Sequence, residues 1–210
     1  MYSYEQIKTK LKGSLSRQRY LHSLGVAETA KKLAQLYGGD ANKAYLAGLL
    51  HDCAKGLSNH HLLQTAIAFG IVRNDDTEEV CPDLLHGSVG SVLARKEYGV
   101  DDEEILTAIA VHTLGAEEMG LLAKIIYLAD FIEPGRDFPG AEKLRILAHQ
   151  DLDYAVLGAM DNTILYVLQQ GLPLHLQTVR ARNSLLLKAA AYTRERGEND
   201  PDEKEGCTEV

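Results

Sequence analysis

Apolar residues recur at helical spacing along almost the whole chain. Between residues 17 and 37 they fall near a period of 3.6 residues, which is typical of a helix with one buried face. Gly38 and Gly39 end this segment, and Asp40 is a suitable N-cap for the next helix. No run of alternating polar and apolar residues indicates a strand, so the pattern predicts an all-α fold.

The same spacing predicts helices for most of the remaining chain. Pro82 suits a first helical turn, and Gly99 ends the helix that follows it. Asp101 and Asp102 then place acidic groups at the start of another helix, where the helix dipole favours them. The stretch RNDDTEEV is predicted to be a polar loop. The other predicted helices span about residues 41–52, 60–69, 82–98, 117–132, 141–150, 151–170 and 178–194.

Length and composition favour one sizeable core. The chain has 210 residues, 45% of them hydrophobic. No stretch of about 18 apolar residues predicts a membrane span, and the first 15 residues lack the apolar core of a signal peptide. Three scattered cysteines form no pairing pattern, which suits a reducing compartment. We therefore expect a cytoplasmic protein with a single all-α domain over residues 1–193.

The charge of the chain is concentrated at one end. The net charge of −8 at pH 7 argues against binding of long nucleic acid through bulk electrostatics. Half of this charge lies in residues 194–210, which carry seven acidic and three basic side chains. This segment has few apolar residues, so we expect a disordered acidic tail. The rest of the chain is only mildly acidic and is compatible with a polyanionic small molecule.

Five polar side chains lie on predicted helical faces whose other residues are apolar. Such faces are expected to be buried. A single histidine in such a place usually finds a partner within the core. A carboxylate is costlier to bury unless it is paired or bound to a metal. One metal site would account for all five side chains together, whereas separate core partners would have to arise five times. The five are His22, His51, His86, His112 and Asp130.

Asp52 directly follows His51, and neighbouring side chains on a helix point about 100° apart. Both side chains can therefore coordinate an ion that lies over the groove between them. Four imidazoles and two carboxylates exceed the coordination of one ion and suit two ions with one bridging carboxylate. Mixed nitrogen and oxygen ligation favours iron, manganese, zinc, cobalt or nickel over calcium or magnesium. The histidines left out of this ligand set are His60, His61, His149 and His175.

The order of these residues resembles the HD-domain superfamily of metal-dependent phosphohydrolases, and Lys55 after the His51-Asp52 pair fits its pattern. Four stretches resemble more closely the bacterial YqeK-type family of symmetrical bis(5′-nucleosyl)-tetraphosphatases: RYLHSLGVAETA, GLLHDCAKG, LLHGSVGSVLA and IYLADFIEPGRDFPG. The resemblance runs from about Tyr4 to Tyr192. It implies an HD-domain helical bundle with a dinuclear metal site in its core.

The resemblance implies hydrolysis of diadenosine tetraphosphate to two ADP by a metal-bound hydroxide that attacks phosphorus. The cofactors would be two divalent transition-metal ions, commonly iron, with manganese, cobalt, nickel or zinc as alternatives. Asp52 would bridge the ions and take part in catalysis. The resemblance assigns the other ligands as follows: one ion would be held by His22, His51 and Asp130, and the second by His86 and His112.

Four basic residues are candidates for contacts with the substrate. Lys55 would stabilise the charge that develops on the phosphate or on the leaving group. Arg19, Arg136 and Arg145 would contact phosphate, because arginine binds phosphate in bidentate geometry. The implied partner is a nucleotide or dinucleoside polyphosphate, without long nucleic acid or membrane, and a homodimer is expected from the same resemblance.

Two other functions remain open at the level of sequence. One is an HD phosphohydrolase that acts on a dNTP, a nucleoside monophosphate or guanosine tetraphosphate. The products separate these activities, because symmetrical cleavage yields nucleoside diphosphate alone. The other is a non-catalytic nucleotide-sensing module, which the six filled ligand positions argue against. The sequence contains no GxSxG elbow and no P-loop.

Overall fold

Helices carry most of the chain. The computed structural model describes residues 2–71 and 76–195, and no strand occurs within these ranges. The predicted all-α fold class is confirmed. The α-helices are α1 (Tyr4–Ser14), α2 (Arg17–Leu36), α3 (Ala41–Leu50), α4 (Asn59–Ala68), α5 (Asp76–Val80), α6 (His86–Tyr98), α7 (Glu103–Val111), α8 (Leu121–Ile132), α9 (Ala141–Leu147), α10 (Leu152–Gln169) and α11 (Leu176–Glu195).

Two helix boundaries differ from the sequence prediction next to predicted metal ligands. α3 ends at Leu50 rather than at residue 52, and residues 51–56 form turns. Lys55 therefore lies in a turn and not on a helix. The helix predicted from Pro82 is a short 3₁₀ segment, after which α6 begins at His86. The turns at both boundaries are as buried as the helices beside them. The apolar pattern of the sequence therefore continues past the helix ends and does not mark them.

Further differences lie away from these ligands. The predicted polar loop of residues 73–80 contains the short helix α5, and its residues 73–75 lie outside the described ranges. The helix predicted from residue 117 begins at Leu121. Of the predicted acidic tail, residues 196–210 lie outside the described ranges. None of the described helices combines the length and apolar character needed to cross a membrane.

The centre of the fold is α8. Its buried side chains point to all sides of the helix, which is typical of a helix surrounded by protein. It packs against α2, α3, α7, α9 and α10. Asp130 lies within this helix, so the sequence places a carboxylate in the core of the bundle. Its carboxylate is compensated by polar groups from other segments, namely His22 and Arg136.

Gly48 lies where α3 crosses α2, and an added Cβ atom would come within 2.9 Å of the Ala27 Cα atom. We predict that Gly48→Ala lowers the free energy of unfolding by about 1–3 kcal/mol, because the two backbones must separate. Gly13 in α1 is the control, since nothing lies within 4 Å of an added Cβ atom there. Gly13→Ala should stabilise the fold by about 0.5–1 kcal/mol. Urea unfolding followed by circular dichroism measures both, and an unchanged stability of Gly48→Ala would contradict the close contact.

Candidate metal centre

The structure brings all six predicted metal ligands together in the interior of the bundle. The ring centroid of His51 lies 5.2 Å from that of His22 and 4.9 Å from that of His112. Two overlapping groups of ligand atoms are close enough to hold a metal ion. These groups are His22, His51 and Asp130, and His51, Asp52 and His112.

The carboxylate of Asp52 lies between two pairs of imidazoles. Its Oδ2 atom is 3.3 Å from His51 Nε2 and 3.7 Å from His22 Nε2. Its Oδ1 atom is 3.3 Å from His86 Nε2 and 3.6 Å from His112 Nε2. Each oxygen therefore faces its own pair of nitrogen donors. A carboxylate in this orientation can bridge two ions.

Asp130 belongs to the side of the cluster that contains His22 and His51. Its Oδ1 atom is 2.9 Å from His22 Nε2 and 3.8 Å from His51 Nε2. The Asp52 Oδ2 atom faces the same two imidazoles. This half of the cluster thus offers two nitrogens and two carboxylates, while the half around His86 and His112 offers two nitrogens and one carboxylate oxygen. The second half has fewer protein ligands.

Three of the histidines share one local arrangement at helix ends. His51 and His112 directly follow α3 and α7, and their Nδ1 atoms donate to the carbonyls of Gly48 and Ile109, each over 2.7 Å. His86 follows the 3₁₀ segment in the same way, and its Nδ1 donates to a carbonyl three residues earlier. The carbonyls of Gly48 and Ile109 lie in the last turns of their helices, where no further turn supplies backbone N–H groups. They therefore fix the tautomer in which Nε2 offers a lone pair to the cluster.

His22 lies inside α2, where the neighbouring carbonyls are already used by the helix. Its Nδ1 instead meets Glu133 Oε1 at 3.0 Å. The Glu133 carboxylate also accepts from the Gly135 backbone N–H. A Cβ atom at Gly25 would lie 2.6 Å from Glu133 Oε2, and one at Gly135 would lie 2.9 Å from Oε1. The two glycines thus form a niche that places this carboxylate behind His22.

The residues present fit a divalent transition-metal ion. In the described part of the chain, the buried Nε2 atoms of His22 and His51 have no hydrogen-bond partner. The Nε2 atoms of His86 and His112 face each other at 3.0 Å, although both Nδ1 atoms donate elsewhere. Lone pairs that converge in this way suit a cation among them. Imidazole and carboxylate donors together suit iron, manganese, cobalt, nickel or zinc.

Electrostatics keep the two carboxylates of the cluster ionised. Burial alone would raise the pKa of Asp52, but the surrounding histidines outweigh it and hold that pKa well below the ordinary value. Burial also acts on Asp130, yet the neighbouring His22 and His51 imidazoles and the Arg136 guanidinium hold its pKa below the usual range. Burial lowers the pKa of His112, which favours a neutral ligand. For His51, the Asp52 and Asp130 carboxylates outweigh burial and raise the pKa.

A cleft of about 540 Å³ opens onto the His22 side of the cluster, and Arg19 and Arg136 both line it. Arg19 Nη1 donates to Asp52 Oδ2 over 2.7 Å. Arg136 Nη2 contacts the Asp130 carboxylate, and its Nε donates to the Asp130 carbonyl over 2.7 Å. Two guanidinium groups thus lie beside the two carboxylates at the opening of the site. Their contacts with substrate stay predictions.

The other two predicted substrate residues have protein partners. Lys55 Nζ pairs with Asp83 Oδ2 at 2.6 Å, and the lysine side chain is 17% exposed. The Asp83 carbonyl accepts from His86 Nδ1, so this ion pair lies at the His86 side of the cluster. Arg145 donates to the carbonyls of Ile132 and Arg136, and thereby supports the loop after α8. Contacts of Lys55 and Arg145 with substrate stay predictions.

Two residues of the site were missed in the sequence. Glu133 lies three positions after the predicted ligand Asp130, but this spacing indicates no function. Its contact with His22 Nδ1 becomes visible only in the fold. The hydroxyl of Thr113 lies 3.0 Å from His86 Nε2 and 3.3 Å from His112 Nε2. A threonine directly after a candidate histidine carries no distinctive signal. The niche of glycines around Glu133 is equally invisible without the fold.

The fold and the His/Asp cluster are those of a metal-dependent hydrolase. Residues 19–135 match the HD domain, and the chain belongs to the HD domain family. It is similar to the symmetrical bis(5′-nucleosyl)-tetraphosphatase of Halalkalibacterium halodurans, with 42% identity over 178 residues that cover 85% of this chain and 94% of the relative. The enzyme of the same description from Bacillus subtilis is 37% identical over 185 residues, covering 87% of this chain and 97% of that protein.

A solved structure gives the same result for the fold. It is the crystal structure of a predicted HD superfamily hydrolase involved in NAD metabolism from Clostridium acetobutylicum, with a TM-score of 0.86 and 46% sequence identity. The match covers 90% of this chain and 99% of that chain. The family expected from the sequence motifs and the class of HD-type hydrolase are therefore confirmed.

Proposed function

We propose that this protein hydrolyses diadenosine tetraphosphate symmetrically to two molecules of ADP. The observation that carries the proposal is the Asp52 carboxylate, whose two oxygens each face a pair of imidazole nitrogens. Such a pair of adjoining half-sites is suited to a phosphate chain. The relatives described as symmetrical tetraphosphatases, which this chain matches over most of their length, support the choice of substrate.

We infer that the cluster holds two divalent ions, with iron as the first expectation. Such ions lower the pKa of a coordinated water and neutralise phosphate charge when they are bound. Asp52 would bridge them, and the low pKa of its carboxyl keeps it available as a ligand. The remaining ligands would be His22, His51 and Asp130 on one side, and His86 and His112 on the other.

The positively charged side chains of the cleft would orient the substrate. Arg19 and Arg136 lie at its opening, and each guanidinium can bind a phosphate in bidentate geometry. In the reaction a water oxygen forms a bond to one central phosphorus while the central P–O–P bond breaks. The leaving ADP takes the bridging oxygen. The arginines would hold the flanking phosphates so that attack occurs at the centre of the chain.

A product assay tests the proposed function. The protein is purified without chelator, its bound metals are quantified by mass spectrometry, and it is incubated with diadenosine tetraphosphate. ADP as the sole product is expected. Formation of ATP and AMP would contradict symmetrical cleavage. An intact dinucleotide, together with turnover of a dNTP, a nucleoside monophosphate or guanosine tetraphosphate, would favour another HD phosphohydrolase.

Lys55 is predicted to assist turnover without binding metal. Lys55→Ala should lower kcat by about tenfold, less than the roughly 10²–10³ typical of a fully enclosed donor, because Asp83 shares its charge. Metal content should stay at the level of the parent protein. Lys188→Ala is the control, since that lysine pairs with Glu118 on the surface. Unchanged turnover of Lys55→Ala would remove Lys55 from the mechanism.

The homodimer expected from the family resemblance stays a prediction. Static light scattering of the purified protein over a range of concentrations measures its mass directly. A mass of twice the 23.1 kDa of the chain would support it.

A further inference from the structure

A second cavity, of about 510 Å³, adjoins the metal centre, and we call it the aromatic cavity. Asp130 and Arg136 line one end of it, and Phe138, Asn162 and Tyr166 line its walls. Arg136 also lines the cleft beside His22. The aromatic cavity therefore begins where the phosphate-binding cleft ends, and one arginine belongs to both. Its position is that of a subsite for the part of a substrate that continues beyond the phosphates.

The walls of the aromatic cavity suit a flat heteroaromatic ring. Phe131 is stacked with Tyr127 at a centroid distance of 5.5 Å, and its ring meets Phe138 edge-on at 6.2 Å. This packing holds the phenylalanine rings in fixed positions. Tyr166 is 59% exposed and lines the same cavity. Aromatic faces of this kind stack on nucleobases, whereas the residues lining the cleft beside His22 include neither Phe nor Tyr.

The aromatic cavity also contains an unused amide. No hydrogen bond joins the side chain of Asn162 to any described residue, and Asn162 lies one turn before Tyr166 on the same face of α10. Gly140, at φ +100°, lies opposite the Asn162 amide. A Cβ atom added at Gly140 would be 3.6 Å from Asn162 Nδ2. A carboxamide carries an acceptor oxygen beside a donor NH2 group, and this pair matches the N6 donor and the N7 acceptor of adenine. Guanine presents two acceptors at the corresponding edge and fits it less well.

We propose that the aromatic cavity binds the adenine base of one half of the substrate, with Asn162 reading its edge and Tyr166 covering its face. The proposal rests on the proposed function for the identity of the substrate. It assigns a nucleobase subsite to α10 and to the loop that carries Phe138. Arg136 would hold the phosphates between this subsite and the metal centre.

Two tyrosines of the same helix provide a matched test. Tyr166→Ala is expected to raise the KM for diadenosine tetraphosphate roughly tenfold, with kcat nearly unchanged, because base stacking acts on binding. The Kd for ADP, measured by isothermal titration calorimetry on the metal-loaded protein, should rise by a similar factor. Tyr154→Ala is the control, because Tyr154 is 47% exposed on α10 and lies outside the aromatic cavity. It should leave both constants unchanged.

A second variant tests the reading of the base. The parent protein is expected to bind ADP more tightly than GDP, and Asn162→Leu should reduce that preference to nearly none. Unchanged KM and Kd in Tyr166→Ala, or an ADP preference that survives in Asn162→Leu, would overturn the subsite. A changed oligomeric mass in Tyr166→Ala with unchanged ADP affinity would also overturn it, since the surface would then belong to an interface between copies.

The calorimetric measurement separates this proposal from the proposed function. If the parent protein fails to cleave diadenosine tetraphosphate but Tyr166→Ala still weakens ADP binding, the tetraphosphatase activity falls and the nucleobase subsite stands. If cleavage proceeds and both variants bind ADP like the parent protein, the activity stands and the subsite falls. Because Tyr166 is largely exposed, its loss should leave the fold intact, which circular dichroism checks.

Discussion

Asp52→Ala is expected to remove both the bound metal and the hydrolytic activity. The two oxygens of this carboxylate face separate pairs of imidazoles, at 3.3–3.7 Å on one side and 3.3–3.6 Å on the other. Without it neither half of the cluster keeps its shared anionic ligand. Loss of one electrostatic stabiliser alone costs about 10²–10³ in rate. Because this carboxylate would be shared by both ions of the proposed centre, we expect a fall in kcat of more than roughly 10³-fold.

Metal analysis by mass spectrometry and the ADP assay measure the two parts of this prediction on the same preparation. Asp153→Ala is the control, because Asp153 pairs with Lys124 and is partly exposed. It should keep the metal content and activity of the parent protein. Full activity or full metal content in Asp52→Ala would contradict a bridging role. Circular dichroism distinguishes loss of metal from loss of fold.

The sequence could predict this cluster because its donor types lie on apolar helical faces. A carboxylate at Asp130, within the apolar stretch that forms α8, is difficult to explain from the sequence unless a cation or another polar partner lies beside it. Periodicity alone assigned all of these residues to helices. It could not show that His51, His86 and His112 follow helical segments whose last carbonyls accept from Nδ1. This hydrogen bonding depends on where each helix ends. The turns that follow are buried, so the sequence pattern does not reveal the helix ends.

Glu133 shows a different limit of sequence reasoning. It meets His22 across 111 residues of chain, and no spacing rule relates the two positions. The need for such a partner follows from the location of His22 within α2, where backbone carbonyls are engaged in the helix. Nothing in the local sequence distinguishes this glutamate from a solvated one. The fold has to bring the end of α8 against α2 before its function can be recognised.

Glu133→Ala is therefore expected to weaken metal binding by about 10–100-fold, the usual cost of removing the hydrogen-bond partner behind a histidine ligand. His22 would lose the acceptor that fixes its tautomer and ring orientation. Glu133→Gln should have a smaller effect, because its Oε1 atom can still accept from Nδ1 while the negative charge is lost. Competition with a chromogenic chelator measures the affinity of each variant. Glu118→Ala, at a surface position that pairs with Lys188, is the control.

Two further results decide whether Glu133 acts through His22. Gly25→Ala should reproduce part of the loss, because its Cβ atom would lie 2.6 Å from Glu133 Oε2 and displace that carboxylate. Activity of Glu133→Ala should recover at saturating metal, since the proposed substrate contacts at Arg19 and Arg136 would remain. Parent-like metal affinity combined with a persistent loss of kcat would contradict the positioning role. In that case the carboxylate would act on the substrate or its phosphates, and the niche between Gly25 and Gly135 would serve the cleft rather than the ligand.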